Sequence, residues 1–578
     1  MSLREERGNF HVVVNMKNCH VASLLVMTSN ATMQTVPLLL KGMDMKNWFD
    51  LTPDFYSYMF QFPEKSLEVN MKMIEATGNL IKAEQAYWIG LNKYIDDFMI
   101  PYQVAVKYFT RVERDKFLHA PFLDSLQSYT DLAELFELNL DMAKREQASR
   151  INAINNYHIP ELSRCFIAWV NTIFNLEGED IFEFTDSHVK TLELVAYQYR
   201  QSIQDIKSEL GFHFKKSGYI KVVETDRFDL YQVLPNDKKV KVRKSGKPVI
   251  IIPPYVLGSD ILAFLPGENK SYVHGFANQG IPTYIRILKD IQANLAVQVM
   301  TGEDDALDTR FFCEQIKAKH GKPVTLNGYC QGGFSAVCDL LSGELDGLVD
   351  VLITCVSPID GTRSKGLGQF LRELPQRFND LAYGTKTLPN GNQVADGDLM
   401  SWIYKIKSID DEAPIIAFYR DLMMLKDISD GDSRKGKELN VSKTALAINY
   451  WLTYERNDLP MAITEMSFKS YNIPITKDGI LPVKLFDREL NLKRLKEKGI
   501  KWLICYGEKD DLVEKATALA PLDYVDAEVT MFPKGHVAMA TSWSRPTSEY
   551  ALHKRFENNQ RGPVRYQLDL ENEYEENS

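Results

Sequence analysis

The stretch Val324-Thr325-Leu326-Asn327-Gly328-Tyr329-Cys330-Gln331-Gly332-Gly333-Phe334 constrains this chain more than any other. It reads as a short apolar strand, a turn with a nucleophile between glycines, and the start of a helix. A nucleophile presented on so sharp a strand-to-helix turn leaves no room for side chains beside it. Gly328 and Gly332 hold the flanking positions, Gly333 follows, and Cys330 is the reactive residue. The backbone N–H of Gln331, first in the new helix, is placed to meet a developing oxyanion. Taken alone, the stretch is equally a buried cysteine beside a glycine-rich turn. The rest of the chain has to decide.

Around this stretch, apolar strands alternate with helices. Pro248–Ile252 is a continuous apolar run, as expected of a strand buried on both faces of a parallel sheet. Ser271–Asn278 reads as a helix, Thr283–Leu288 as a strand, Asp305–Lys319 as a helix and Val349–Cys355 as a strand. Two short β-like runs, Tyr219–Val223 and Asp229–Val233, precede them. Such alternation predicts an open α/β sheet. It stops between about 361 and 478, where helix-like pieces at Gly366–Leu374, Leu399–Lys405, Ala413–Leu425 and Thr444–Tyr454 predict a helical cap over the sheet's carboxyl edge. The sheet resumes with Lys501–Cys505 and Glu528–Phe532.

Residues 1–215 read as a separate helical domain. From Pro63 to about Met99, Leu67, Ile74, Ile81, Trp88 and Ile95 recur every seven residues, with Met71, Leu91 and Phe98 near the same stripe, which predicts a long amphipathic helix packed along it within the molecule. Further helices are expected at about 127–150, 160–176 and 186–209. Residues 216–556 form the predicted catalytic domain, and 557–578 an acidic tail with Glu571, Glu573, Glu575 and Glu576.

A cysteine elbow needs a base to take its proton and a carboxylate to hold that base. In the α/β-hydrolase fold these follow in the order nucleophile, acid, histidine, each just after a strand. Here one late strand runs into Gly507-Glu508-Lys509-Asp510-Asp511-Leu512-Val513, and the last into Pro533-Lys534-Gly535-His536. Of ten histidines only His536 and His553 lie downstream of the elbow, and His536 has the expected place. On spacing alone, Asp510 and Asp511 both remain candidates. A second oxyanion donor is expected from the loop after the first buried strand, at Tyr255–Val256.

The thiol narrows the chemistry. A thiolate is a stronger nucleophile than a serine hydroxyl, and its acyl product is a thioester. Exchange with a thioester substrate is therefore nearly energy-neutral, which favours acyl transfer over hydrolysis. No metal or cofactor is called for. The net charge of −10 argues against nucleic acid as a partner. Seven cysteines without a CxxC pair fit neither a disulfide framework nor a zinc site, and suggest a reducing compartment. Met1–Gly8 is charged, and Val21–Leu40 is broken by Thr28, Ser29, Asn30, Thr32, Gln34 and Pro37. Neither a signal peptide nor a transmembrane span is expected, and a cytoplasmic location is the default.

Residues about 215–545 resemble the poly(3-hydroxyalkanoate) synthases, an α/β-hydrolase family. The most specific element is Gly328-Tyr329-Cys330-Gln331-Gly332-Gly333, similar to that family's G-[YF]-C-x-G-G box. Pro253-Pro254-Tyr255 resembles its double-proline loop, and Ile261-Leu262-Ala263-Phe264-Leu265-Pro266 its I-L-D-L-x-P run. Lys270-Ser271-Tyr272-Val273 with Gln279-Gly280, Asn457-Asp458-Leu459-Pro460 with Tyr471-Asn472, and Gly535-His536 look like further family segments. Gly507–Val513 is similar to the G-x-x-D-H-I-V-P turn, which puts the family's catalytic aspartate on Asp510. The resemblance implies that Cys330 carries a growing polyester as a thioester, that His536 activates Cys330 or the incoming hydroxyl, and that Asp510 orients His536. It implies (R)-3-hydroxyacyl-CoA substrates with release of CoA, a homodimer, and a cytoplasmic polymer-granule surface as partner.

The chain departs from the family pattern at Leu257, Ala263, Tyr454, Asp511 and Glu514, and where Arg286-Ile287-Leu288-Lys289-Asp290 replaces S-W-R-N-P. Those departures keep two alternatives in view. One is an esterase or thioesterase using the same three residues; the other is a non-catalytic, granule-associated protein.

Overall fold

A computed structural model of the chain describes residues 55–119, 121–215, 218–373, 384–401, 409, 413–432 and 441–541. The apolar run Val21–Leu40, His553 and the acidic tail lie outside the described residues. The chain divides between Ala76 and Thr77 into two compact units. The first is described from Phe55 onward, as the opening of helix α1 (Phe55–His119). Helices α2 (Phe122–Phe174), α3 (Ile181–Glu193) and α4 (Tyr199–Asp205) follow, with a π-helical turn at Leu194–Gln198 joining the last two. The two helices expected over 127–176 are one, with Pro160 inside it. The change from helix to strand comes near residue 215, whereas the second compact unit runs from Thr77 onward and includes both.

Strands β1 (Tyr219–Glu224), β2 (Phe228–Val233) and β3 (Val249–Ile252) open the sheet. Then come α5 (Tyr272–Ala277), β4 (Thr283–Leu288), α6 (Gly302–His320), β5 (Val324–Tyr329), α7 (Gln331–Ser342) and β6 (Val349–Cys355). Local sequence sets these ends. At the start of α6 the Thr301 hydroxyl accepts the Asp304 N–H at 3.2 Å, and the Asp304 carboxylate accepts the Thr301 N–H at 3.0 Å, a reciprocal cap. Gly321 ends the helix in the left-handed region.

The inserted segment supplies α8 (Leu367–Glu373), the short strands β7 (Thr385–Thr387) and β8 (Gln393–Ala395), α9 (Pro414–Asp432), α10 (Lys443–Tyr454), β9 (Leu459–Pro460) and α11 (Met461–Asn472). The three short strands pair antiparallel with one another, apart from the main sheet. A hairpin of β10 (Ile480–Leu485) and β11 (Arg488–Asn491) comes next, and β12 (Lys501–Gly507) and β13 (Glu528–Phe532) complete the sheet.

The eight-stranded sheet has the order β1-β2-β4-β3-β5-β6-β12-β13. Only β1–β2 and β2–β4 pair antiparallel; the other pairs are parallel. Alternate residues of each strand feed two cores. Ile250, Ile252, Leu326, Leu352 and Ile504 join Phe312, Ile316 and Phe334 of α6 and α7 on one face. Val249, Ile251, Val351, Ile353 and Leu503 join Val273 and Phe276 of α5 on the other. Each such side chain contributes about 1.5–3 kcal/mol by its burial. Both faces being covered explains why β3 reads as an unbroken apolar run.

The long helix departs from expectation within the second unit. Ile81 and Trp88, on the seven-residue stripe, are 56% and 46% exposed; Leu91, beside the stripe, is buried as expected, but its buried neighbours on the helix are Ala83 and Ala86. The reason is close approach. A Cβ on Gly90 would lie 3.0 Å from the Phe418 ring of α9, so small residues form the packed face. Polar contacts run along the same seam, with the Tyr94 hydroxyl donating to Asp421 Oδ2 at 2.6 Å and His158 Nε2 meeting the Tyr419 hydroxyl at 2.8 Å. No helix among the described residues is long and apolar enough to cross a membrane.

Candidate active site

The strand order sets the carboxyl ends of β5, β6, β12 and β13 side by side along one edge. Cys330 follows β5 directly, Asp510 follows β12 by three residues, and His536 follows β13 by four.

Cys330 has φ 51° and ψ −124°, a conformation that costs a non-glycine residue about 1–3 kcal/mol. It is held there by its N–H, which donates to the Cys355 carbonyl at 2.8 Å, and by its carbonyl, which accepts the Gly333 N–H at 2.9 Å. Crowding explains the glycines. A Cβ on Gly328 would lie 2.3 Å from Gly333 Cα, one on Gly332 2.4 Å from the carbonyl oxygens of Ile252 and Pro253, and one on Gly333 1.9 Å from Ser357 Oγ. Val356, at the end of β6, also has a positive φ, 46°. Its N–H donates to the Cys505 carbonyl at 2.8 Å, and nothing in its sequence marks it out.

Of the two aspartates, Asp510 is the one that meets His536. His536 Nδ1–H donates to Asp510 Oδ2 at 2.8 Å, and Asp510 Oδ1 accepts the N–H groups of Leu512 and Val513 at 3.0 and 2.8 Å. Asp510 is buried, whereas Asp511 is exposed. The backbone of His536 is tied down as well, because the buried Tyr329 hydroxyl donates to its carbonyl at 2.8 Å. The residue just before the nucleophile thus fixes the histidine loop. Burial alone would lower the His536 basicity, but the Asp510 carboxylate and the Cys330 sulfur raise it well above the usual histidine range. Nε2 is buried without a hydrogen-bond partner, and the Cys330 sulfur is near enough to act on the ring.

Beside Cys330 lies a cavity of about 70 Å³. Its wall is mostly apolar (Val256, Leu257, Leu367, Met400, Phe468, Tyr471), with Gln331, Thr464 and Ser467 as polar members. The space suits roughly five water molecules, or a short acyl group. Inserted elements α8 and α11 thus form much of the wall.

Of the expected oxyanion donors, Gln331 and Val256 reach this cavity. The Val256 N–H donates to Gln331 Oε1 at 3.3 Å. Tyr255 turns into the core, where its hydroxyl donates to Asp305 Oδ1 at 2.7 Å and accepts from Arg286 at 3.0 Å. Arg286 also pairs with Asp305 at 2.6 Å and donates to Thr309 Oγ1 at 2.5 Å, and Thr309 in turn donates to Asp339 Oδ2 at 3.0 Å. Burial, with the Asp305 charge, holds the Asp339 carboxyl well above the usual carboxylate range. A buried ionic network therefore stands behind the double-proline loop. Its arginine sits within β4 and is buried. Among the described residues, no group of three or more His, Cys, Asp or Glu side chains is placed to hold a metal ion.

The mostly parallel sheet with helices on both faces and a cysteine elbow after β5 makes this an α/β-hydrolase fold. Solved structures similar to the chain include a carboxylesterase of Nitrososphaera gargenis, with 13% identity over 55% of this chain and 91% of that one at a TM-score of 0.31. A thermophilic esterase of Thermogutta terrifontis shares 11% identity over 56% of this chain and 93% of its own, at 0.31. A soluble variant of monoglyceride lipase from Saccharomyces cerevisiae shares 10% over 57% and 91%, at 0.35. No protein-family model and no curated protein sequence matches the chain.

Proposed function

We propose that this chain is a cysteine-dependent acyltransferase of the polyhydroxyalkanoate-synthase type, joining (R)-3-hydroxyacyl units from CoA thioesters into polyester. The observation that carries this reading is the His536–Asp510 hydrogen bond of 2.8 Å beside the strained Cys330, at the mouth of an apolar cavity. The motif resemblance supplies the substrate class.

In this reading the Cys330 thiolate attacks the substrate thioester carbonyl while His536 holds the proton. The tetrahedral oxyanion is met by backbone N–H groups of Gln331 and Val256. As the carbon–sulfur bond to CoA breaks, the His536 imidazolium protonates the leaving thiolate. The acyl group is then a thioester on Cys330. Neutral His536 next takes the proton of an incoming 3-hydroxyl, whose oxygen attacks the acyl carbonyl, and Cys330 leaves as thiolate. CoA enters only as part of the substrate. Association as a homodimer and with a polymer surface belongs to the same proposal.

Hydrolysis shares the first half of this route. Arg286–Asp290, the segment that departs most from the synthase pattern, is not among the residues that line the Cys330 cavity. The test is to mix the purified chain with 3-hydroxybutyryl-CoA and follow CoA, insoluble polymer and the mass of the protein. We expect CoA release with polymer and a hydroxybutyryl adduct that is lost in Cys330→Ala. CoA release with free acid alone supports a thioesterase instead, and no CoA release from any hydroxyacyl chain length rules out both.

A further inference from the structure

Gln331 carries two features that meet at one place. Its backbone N–H opens α7, while its side chain, only 8% exposed as a residue, folds back across the cavity. Oε1 accepts the Val256 N–H at 3.3 Å, and Nε2 donates to Ser467 Oγ of α11 at 2.6 Å. Val256, Cys330, Gln331 and Ser467 line the same cavity.

An amide carbonyl resting on the Val256 N–H stands where the carbonyl oxygen of an acyl substrate belongs if that N–H is an oxyanion donor. One N–H cannot serve both acceptors at full strength. We therefore infer, on the basis of the acyl-transfer reading above, that the Gln331 side chain is a gate: it fills the oxyanion site in the resting protein and is displaced by the substrate carbonyl. The two contacts are unequal. The 3.3 Å bond lies at the long end of the hydrogen-bond range and the 2.6 Å bond at the short end. The incoming carbonyl breaks the long one, and Gln331 stays tied to Ser467. Occupancy of the oxyanion site is thereby coupled to α11, an element of the inserted segment that walls the acyl cavity. The Gln331 side chain and Ser467 act as positioning groups in this scheme, since neither side chain touches the reacting atoms; the Gln331 backbone N–H keeps its place as an oxyanion donor.

The inference is tested on the full chain with two probes of Cys330. Acylation by p-nitrophenyl acetate needs an oxyanion site; alkylation by iodoacetamide does not. The ratio of the two rates, with Cys330→Ala as background, isolates the site from thiol reactivity. For Gln331→Ala, which keeps the backbone N–H and removes the plug, the ratio should rise about three- to ten-fold, the effect of one modest hydrogen bond. Ser467→Ala, which frees the outer end of the amide, should raise it by a smaller factor, and it decides alone if Gln331→Ala does not fold. An unchanged or lower ratio in the variants, with wild-type Cys330 readily acylated, overturns the gate and leaves the acyl-enzyme reading standing. Alkylation of wild-type Cys330 without any acylation removes the acyl-enzyme reading, and the gate with it.

Discussion

Asp510 does two things with two oxygens. One is fixed by the Leu512 and Val513 N–H groups, so the other is presented to His536 Nδ1 in a single orientation. Replacing it by Asn keeps the shape but removes the charge that holds the imidazole's proton. Asp510→Asn should lower CoA release by about 10²–10⁴-fold. Because the carboxylate raises the His536 basicity, the alkaline limb of the pH profile, where the leaving thiolate loses its proton donor, should lie above the ordinary histidine range in wild type and move toward acid in the variant. A limb that stays in place would mean that another group donates the proton. The elbow glycines were legible in sequence, because crowding at a strand-to-helix turn admits few residue types, and the strand-end places of Cys330 and His536 followed from the apolar runs before them. Spacing leaves Asp510 and Asp511 equal; the resemblance and the hydrogen bond to His536 both favour Asp510. Tyr329 and the Gln331 side chain were not legible, since their roles depend on partners 207 and 75 residues away.

At the level of elements, the elbow is a three-way contact of β3, β5 and α7. Gly332→Ala would place a methyl 2.4 Å from two backbone carbonyls that cannot swing aside, and should cost about 3 kcal/mol or leave the protein unfolded. Gly267→Ala, with nothing within 4 Å, should stay within about 0.5 kcal/mol; urea titration of both compares them directly. The Arg286 network ties β4, α6, α7 and the double-proline loop together. Arg286→Met leaves Asp305 buried without its cation and should lose about 3–5 kcal/mol, whereas adding Asp305→Leu should recover part of that loss. Additive losses would show that the two charges do not depend on each other. Bounds such as those of β4, β6 and β13 were readable residue by residue, from runs rich in β-branched and apolar residues. The β10–β11 hairpin was not. Its turn uses Phe486 and Asp487 at φ 52° and 57°, without the glycine or asparagine that usually marks such a turn. The packed face of α1 escaped for a related reason: it is built from alanine and glycine, which rank low in any hydrophobic stripe.

Across the whole second unit, the helices before the sheet and those inserted into it are joined by buried titratable groups. His188 of α3 lies beside Glu161, Tyr157 and His158 of α2, with Lys426 and Tyr419 of α9 in the same cluster, and its ring stacks on Phe184. Burial is the chief cause that lowers its pKa to about 4; Glu161 opposes the shift, while His158, Lys426 and Arg164 add to it. His274 of α5 is lowered to about 4 by burial as well. A neutral histidine in the fold gains a proton more readily once unfolded, so the unfolded chain binds more protons between pH 6.5 and pH 4. The stability these groups contribute is therefore complete above pH 6.5 and is lost as pH falls toward 4. For His188 the shift from 6.5 to about 4 corresponds to about 3 kcal/mol. Urea unfolding at pH 7.5, 6.0, 5.0 and 4.5 should show wild type losing stability in that window, and His188→Asn losing less, with the slope due to His274 remaining. Parallel curves for the two proteins would mean that His188 is already protonated in the fold, held so by Glu161, and that the seam between the helices is not what acid loosens.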